Sequence, residues 1–313
     1  MAFFDSTNSH LYSVYFAPRG AARMFAMGAM ISQLHLSPFD HIIGIIGESG
    51  AGKSMLIKGM FPGLELTNDD AGVNVRPLPL LNQEEENVFY VPHTYHVDVR
   101  FELGFTQPGV LADAVMQAKR RDRRVVIEHY DMLHRYIPDI PDMLIGLGEE
   151  VLVTRPTLFG PKPEEVHKVV SHSIKFRQMA HSAEDLCEKY LSEEVYKRAT
   201  HGDIRKGFII KFPGADKPEI DLDAMEAAVL EDIASDIPIS YVDQKHISFG
   251  GDIQFCTGPR THVKSTGLIE NFRLVKPLIY DPQRNEWLLV GRVGPDEGGK
   301  LSAVNSMDIQ NVF

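Results

Sequence analysis

Eight residues, Gly47-Glu48-Ser49-Gly50-Ala51-Gly52-Lys53-Ser54, run in the pattern G-x-x-x-x-G-K-S. These types at this spacing suit one task, the cradling of an anionic phosphate chain. Glycines let the backbone curl so that successive N–H groups point inward at phosphate oxygens. A helix starting at the end of the loop adds its own unpaired N–H groups and the positive end of its dipole. Lys53 would reach the terminal phosphates and the Ser54 hydroxyl would hold Mg²⁺. The flanks suit this use: His41 to Ile46 reads as a short buried strand, and Met55 to Lys58 continues as a helix. The implied ligands are ATP or GTP with Mg²⁺; no residue pattern reads the base. Lys53 is expected to be exposed when no ligand is present.

Carboxylates come next. Leu64 to Thr67 reads as a strand, and Asp69 and Asp70 follow its end. Such a pair is a candidate Mg²⁺ ligand or general base; two solvated turn residues are the equal alternative. Val125 to His129 is a buried strand in which Glu128 is placed to bind the metal's water shell or orient an attacking group. His93 and His96 lack a Cys or acid at ligand spacing and read as ordinary strand or turn histidines. Lys119 to Arg124 is a basic helix end, solvated by preference, with a phosphate clamp or RNA contact as the alternative.

The elements that must position these groups follow from periodicity. Leu11 to Phe16 is a weak strand, and Ala21 to Leu36 has helical spacing of its methionines and leucines. Val88 to Val91 and His96 to Phe101 pair as an expected hairpin across Pro92-His93. Val110 to Lys119 is a helix and Val151 to Thr154 a last strand. Alternation of strands and helices predicts a mostly parallel sheet covered on both faces. Pro156, Gly160, Pro161 and Pro163 mark a boundary, dividing the chain into residues 1–158 and 159–313. In the second part Glu164 to Arg177, Ser182 to Arg198 and Leu222 to Ile233 read as helices. The rest, to Val290, reads as short strands, giving an α+β half.

Bulk composition narrows the class. The 313 residues are 43% hydrophobic and 24% charged, with a formal net charge of −11. Such a chain does not bind nucleic acid through bulk charge, so a tRNA contact would need a local basic patch. Two cysteines, Cys187 and Cys256, make no disulfide framework and suit a reducing compartment. Met24 to Phe39 lacks charged residues but is too short and too polar to span a bilayer. The first residues lack a signal-peptide pattern. The expectation is a cytoplasmic protein with no membrane partner.

Two resemblances add to this reading. The 47–54 loop followed by a strand and Asp69-Asp70 resembles the HPr kinase and phosphoenolpyruvate carboxykinase type of P-loop NTPase fold, over Ile42 to Val75. Cys256-Thr257-Gly258-Pro259-Arg260-Thr261-His262-Val263-Lys264-Ser265-Thr266-Gly267 resembles the zinc segment of the alanyl-tRNA synthetase second additional domain, the editing domain shared with threonyl-tRNA synthetase. Ile247 to Asp252 approaches this segment and Leu268 to Val275 leaves it as in that family, while Ile204 to Phe212 looks like its upstream strand. The likeness covers Pro163 to Tyr280. That family's second ligand pair is His-x-x-x-His; here His181-Ser182-Ala183-Glu184-Asp185-Leu186 puts Asp185 where the second His would be. His181 and Asp185 still share a helix face, and Asp is an acceptable zinc ligand. Cys256 and His262 are separated by five residues where the family has three. The resemblance thus implies either an altered Zn²⁺ site of His181, Asp185, Cys256 and His262, or an editing-type fold without its metal. His167 and His172, five apart, lie on different helix faces and are poorer ligands, and Cys187 is expected in the core.

Three functions are compatible with both halves. The first is a kinase or ATP-dependent activating enzyme, with Lys53, Glu128 and the Asp69/Asp70 pair in its catalytic machinery and a small amino-acid-like substrate held by the editing-like domain. The second is a nucleotide-regulated deacylase of mischarged tRNA. The third is a non-catalytic nucleotide-dependent switch.

Overall fold

The structure, a computed structural model, describes residues 12–68, 78–81 and 93–295. These divide into two compact units. The first holds residues 12–15 and 21–172, the second residues 16–20 and 173–295. The division falls between His172 and Ser173, inside a helix, and the Pro- and Gly-containing stretch 155–163 lies within the first unit.

In the first unit the order is β1 (Tyr12–Phe16), α1 (Ala21–His35), β2 (Ile42–Gly47), α2 (Lys53–Met60), β3 (Thr94–Asp98), α3 (Val99–Glu102), α4 (Pro108–Arg120), β4 (Arg124–Glu128), α5 (Tyr130–Leu133), β5 (Met143–Leu147) and β6 (Glu150–Thr154). The strands form a six-stranded sheet in the order β1-β6-β5-β2-β4-β3. β2 runs parallel to both β4 and β5, and β3 parallel to β4, while β6 is antiparallel to β5. Ile42, Ile43, Ile45 and Ile46 are all fully buried, as expected of a central parallel strand covered on both faces. Each such side chain contributes about 1.5–3 kcal/mol by leaving water. One cluster on this sheet joins Ile42, Ile46, Val97, Val125 and Ile127 to Leu111, Val115 and Ala118 of α4. The start of α2 is fixed from behind. A Cβ on Gly28 would sit 2.1 Å from the Leu56 carbonyl oxygen, and one on Gly59 would sit 2.0 Å from that of Phe25. Glycine at both positions lets the backbones of α1 and α2 touch. The Arg155 guanidinium grips Asp40 with two hydrogen bonds, of 2.6 and 2.9 Å, just before β2.

Several expectations change here. Leu64 to Thr67 is not a strand; the Thr67 N–H bonds an imidazole instead of a neighbouring strand. His96 to Phe101 is not half of a hairpin. The strand is β3, it pairs parallel to β4, and Asp98 caps the short α3 by accepting from Phe101 N. Val88 to Val91, Asp69 and Asp70 lie outside the described residues. The strand β5, not foreseen, places a buried Met-Leu-Ile-Gly-Leu run beside β2.

In the second unit the elements are the C-terminal part of α6 (Pro163–Lys189), α7 (Glu193–Arg198), β7 (Thr200–Ile204), β8 (Gly207–Pro213), α8 (Leu222–Ala234), β9 (Ile239–Asp243), β10 (His246–Phe249), β11 (Asp252–Phe255), β12 (Arg273–Asp281) and β13 (Glu286–Arg292). The expected break between Arg177 and Ser182 is absent, because no Gly or Pro interrupts α6 after its first residue. The chain breaks instead at Ser192, whose hydroxyl caps α7. Asp221 caps α8 in the same way, through Asp223 N and Ala224 N. Four strands form an antiparallel sheet in the order β12-β13-β8-β7, and three form β11-β10-β9. Met179, Ala180, Ala183, Leu186 and Cys187 of α6 pack with Phe208, Ile210, Phe212, Val229 and Leu289 into this unit's core. No helix among the described residues is long and apolar enough to cross a membrane.

Candidate functional site

Gly47, Asp98 and Glu128 stand at the carboxyl ends of β2, β3 and β4, which are neighbours in the sheet. In open parallel sheets this is the edge where ligands bind. The 47–54 loop leaves β2 and enters α2 through Gly52, whose φ of 92° lies in the left-handed region that a side chain would strain. Gly52 brings no side-chain cap, so the first N–H groups of α2 keep the unpaired character that suits an anion.

Side chains converge on the same edge. The Lys53 ammonium donates to the Glu48 carbonyl at 3.0 Å and lies 3.8 Å from Glu128 Oε2. It is therefore buried, not exposed as expected; the loop carbonyl and the carboxylate replace solvent around it. The Ser54 hydroxyl donates to Glu128 Oε1 at 3.5 Å. Two histidines and one further carboxylate join these residues; the sequence reads His96 as an ordinary strand or turn histidine and does not single out Asp98 or His129. His96 places Nε2 3.2 Å from Glu128 Oε1. Asp98 pairs with Glu128 in strand register and accepts from the Asn68 amide at 2.9 Å. His129 follows Glu128 with a φ of 56°, uncommon for a residue with a side chain. Burial, reinforced by Lys53 and opposed by Asp98, holds the His129 imidazole down at about 3, so it is neutral at physiological pH.

The donor set fits a metal–triphosphate. An ammonium offers charge to an anion, while a hydroxyl and carboxylate oxygens offer the hard ligands that Mg²⁺ takes. Within the basic run 119–124, Lys119 pairs with Asp139 at 2.6 Å, and Arg124, the first residue of β4, binds the carbonyls of Asp40 and Ser37.

A second constellation lies in the second unit. His181, Asp185, Cys256 and His262 each direct one ligand atom to a common point, all four atoms within 4.8 Å of one another. Cys256 Sγ is 3.5 Å from His181 Nε2 and 3.3 Å from His262 Nε2; Asp185 oxygens lie 3.8 and 3.6 Å from the same two nitrogens. A tetrahedron with bonds of about 2.0–2.3 Å has edges of about 3.3–3.8 Å, the range in which these four separations fall. Outer contacts orient them. His181 Nδ1 donates to the Thr261 carbonyl at 3.1 Å, leaving Nε2 with its lone pair. His262 Nδ1 is held by the Ser182 hydroxyl at 3.1 Å, and Gly258 N donates to Cys256 Sγ at 3.3 Å. Asp185 Oδ2 is buried with no hydrogen-bond partner. Burial drives His181 and His262 down, the latter to about 3, and Asp185 and Cys256 up. The longer Cys256–His262 spacing is absorbed by a turn in which Thr261 N bonds the Gly258 carbonyl. Next to the set, buried Arg19 grips Glu184 with bonds of 3.0 and 3.2 Å and also reaches the Gly202 and Gly207 carbonyls.

No protein-family model matches the chain, and no curated protein matches it. Two solved structures of ornithine aminotransferase from Toxoplasma gondii, one of them from strain ME49, align at 11% identity and a TM-score of 0.24. They cover 80% of this chain and 68% and 67% of their own. A likeness of that size carries no argument about fold or function.

Proposed function

We propose that the chain is an ATP- and Mg²⁺-dependent phosphotransferase or activating enzyme, with a P-loop first unit and an editing-type second unit that takes a small amino-acid-like substrate. The observation that carries the reading is the meeting of Lys53, Ser54 and Glu128 at the ends of adjacent parallel strands. Phosphoryl transfer asks chiefly for positioning and charge neutralisation. Lys53 and the loop amides hold the β- and γ-phosphates. Ser54 and Glu128 would hold Mg²⁺, which when bound neutralises phosphate charge as a Lewis acid. An acceptor oxygen attacks the γ-phosphorus, the bond to the ADP oxygen breaks, and the acceptor proton passes to a carboxylate. Asp98 and Glu128 are two carboxylates at the strand ends of this edge. Neutral His129 adds no charge that would compete with Lys53.

The small amino-acid-like acceptor rests on the editing-domain resemblance of the second unit, in which His181, Asp185, Cys256 and His262 would hold Zn²⁺. The assembled quartet also favours a second reading, hydrolysis of a mischarged aminoacyl-tRNA with nucleotide as regulator. Incubation of the protein with Mg–ATP or Mg–GTP and a panel of small amino acids, followed by ³¹P NMR, tests the first. ADP with a phosphorylated product supports it. Deacylation of Ser- or Gly-charged tRNA without nucleotide supports the second reading. Nucleotide binding without turnover in either assay overturns both and leaves a nucleotide-dependent switch.

A further inference from the structure

His96 is fully buried on β3, between the 64–68 segment and Glu128. Its two ring nitrogens have different duties. Nδ1 lies 3.0 Å from the Thr67 backbone N and 3.2 Å from Thr67 Oγ1. An N–H can only donate, so Nδ1 accepts and the ring proton sits on Nε2. Nε2–H therefore donates to Glu128 Oε1 at 3.2 Å. Thr67 is itself anchored, since its hydroxyl accepts from Asp98 N at 3.3 Å. The ring is thus locked in one tautomer by backbone and aimed at one oxygen of the carboxylate.

The other donor to Oε1 is Ser54, at 3.5 Å. That bond is the longer of the two and comes from a freely turning hydroxyl, whereas the His96 ring is held in place by Thr67. We propose that His96 is the positioning residue of Glu128, pinning Oε1 so that Oε2 stays directed toward Lys53 and the metal–phosphate position. The inference rests on the nucleotide reading of the first unit.

Two substitutions separate positioning from packing. In His96→Asn the amide lies near the Nδ1 position, keeping an acceptor for Thr67 and losing the donor to Glu128. In His96→Gln the amide reaches the Nε2 position and restores that donor. Removing an outer-shell orienting contact commonly costs about 10–100-fold in activity. The expected result is a kcat lowered about that much in His96→Asn, with the KM for ATP unchanged, and substantial recovery in His96→Gln. A wild-type kcat in His96→Asn, or equal losses in both variants, overturns the positioning role. On the unmodified protein, ¹⁵N-edited NMR of the histidine rings is expected to show His96 protonated at Nε2, with a proton signal that moves in Glu128→Ala. A proton on Nδ1 overturns the role whether or not the variants fold. Absence of nucleotide turnover in the wild-type protein overturns the underlying reading instead, and is seen before any variant is made.

Discussion

His129 makes the stability of the first unit depend on pH in a calculable way. Its imidazole is buried beside Lys53, which lowers its pKa from the ordinary 6.5 to about 3. Above pH 6.5 the residue is neutral folded and unfolded, and contributes no pH dependence. Below that value the unfolded chain takes up a proton that the folded chain refuses, so stability falls as pH falls. The slope is about 1.4 kcal/mol per pH unit, continuing down to about pH 3. Between pH 7 and pH 5 the loss from this residue is about 2 kcal/mol. His129→Asn removes the titration while supplying a residue that tolerates the left-handed backbone. The assay is urea unfolding at pH 7, 6 and 5, read by pulsed hydrogen exchange of peptides from β2 and β4. The wild-type protein should lose about 2 kcal/mol more than the variant over this range, other acid-sensitive groups cancelling in the difference. Equal pH slopes in the two proteins would refute the reasoning, because they would mean that His129 is hydrated or charged in the folded state.

The second unit offers two further tests. Arg19→Ala removes the guanidinium from the buried Glu184 carboxylate, leaving it His201, and frees two carbonyls; it should cost about 3–5 kcal/mol, with Lys failing to restore a two-pronged contact; Trp287, the single tryptophan, reports the unfolding. Metal analysis of the untagged protein should find about one zinc per chain, lost in Cys256→Ser or His262→Ala. Chelation should lower the Trp287-monitored stability, and a metal-free protein that gains no stability from added zinc would remove the quartet from consideration.

How much was visible in the sequence depended on whether the chemistry was local. The 47–54 loop is contiguous, so its strand, turn and helix could be read together. Glu128 could be placed because it ends an apolar run. The quartet consists of two near-local pairs 75 residues apart, His181 with Asp185 and Cys256 with His262, and their meeting was suggested only by resemblance. His96, Asp98 and His129 are single residues whose importance comes from strand order. β3 lies beside β4, and β4 beside β2, although β3 and β4 come later in the chain. No window of sequence contains that adjacency. Leu64 to Thr67 misled for a related reason: its apolar alternation is real, but Thr67 spends its N–H on a side chain, not a strand. α6 runs on where the sequence reads two helices, since no residue between Arg177 and Ser182 stops a helix.

The most direct measurement is calorimetric titration of Mg–ATP and Mg–GTP into the wild-type protein and Lys53→Ala, with hydrogen exchange confirming that β2 and β4 remain folded in the variant. The account predicts one nucleotide site per chain. It also predicts an affinity reduced about 10–100-fold in the variant, the worth of a charge-assisted contact of about 1.5–3 kcal/mol. Failure of the wild-type protein to bind either nucleotide, or equal affinity in the folded variant, would contradict it.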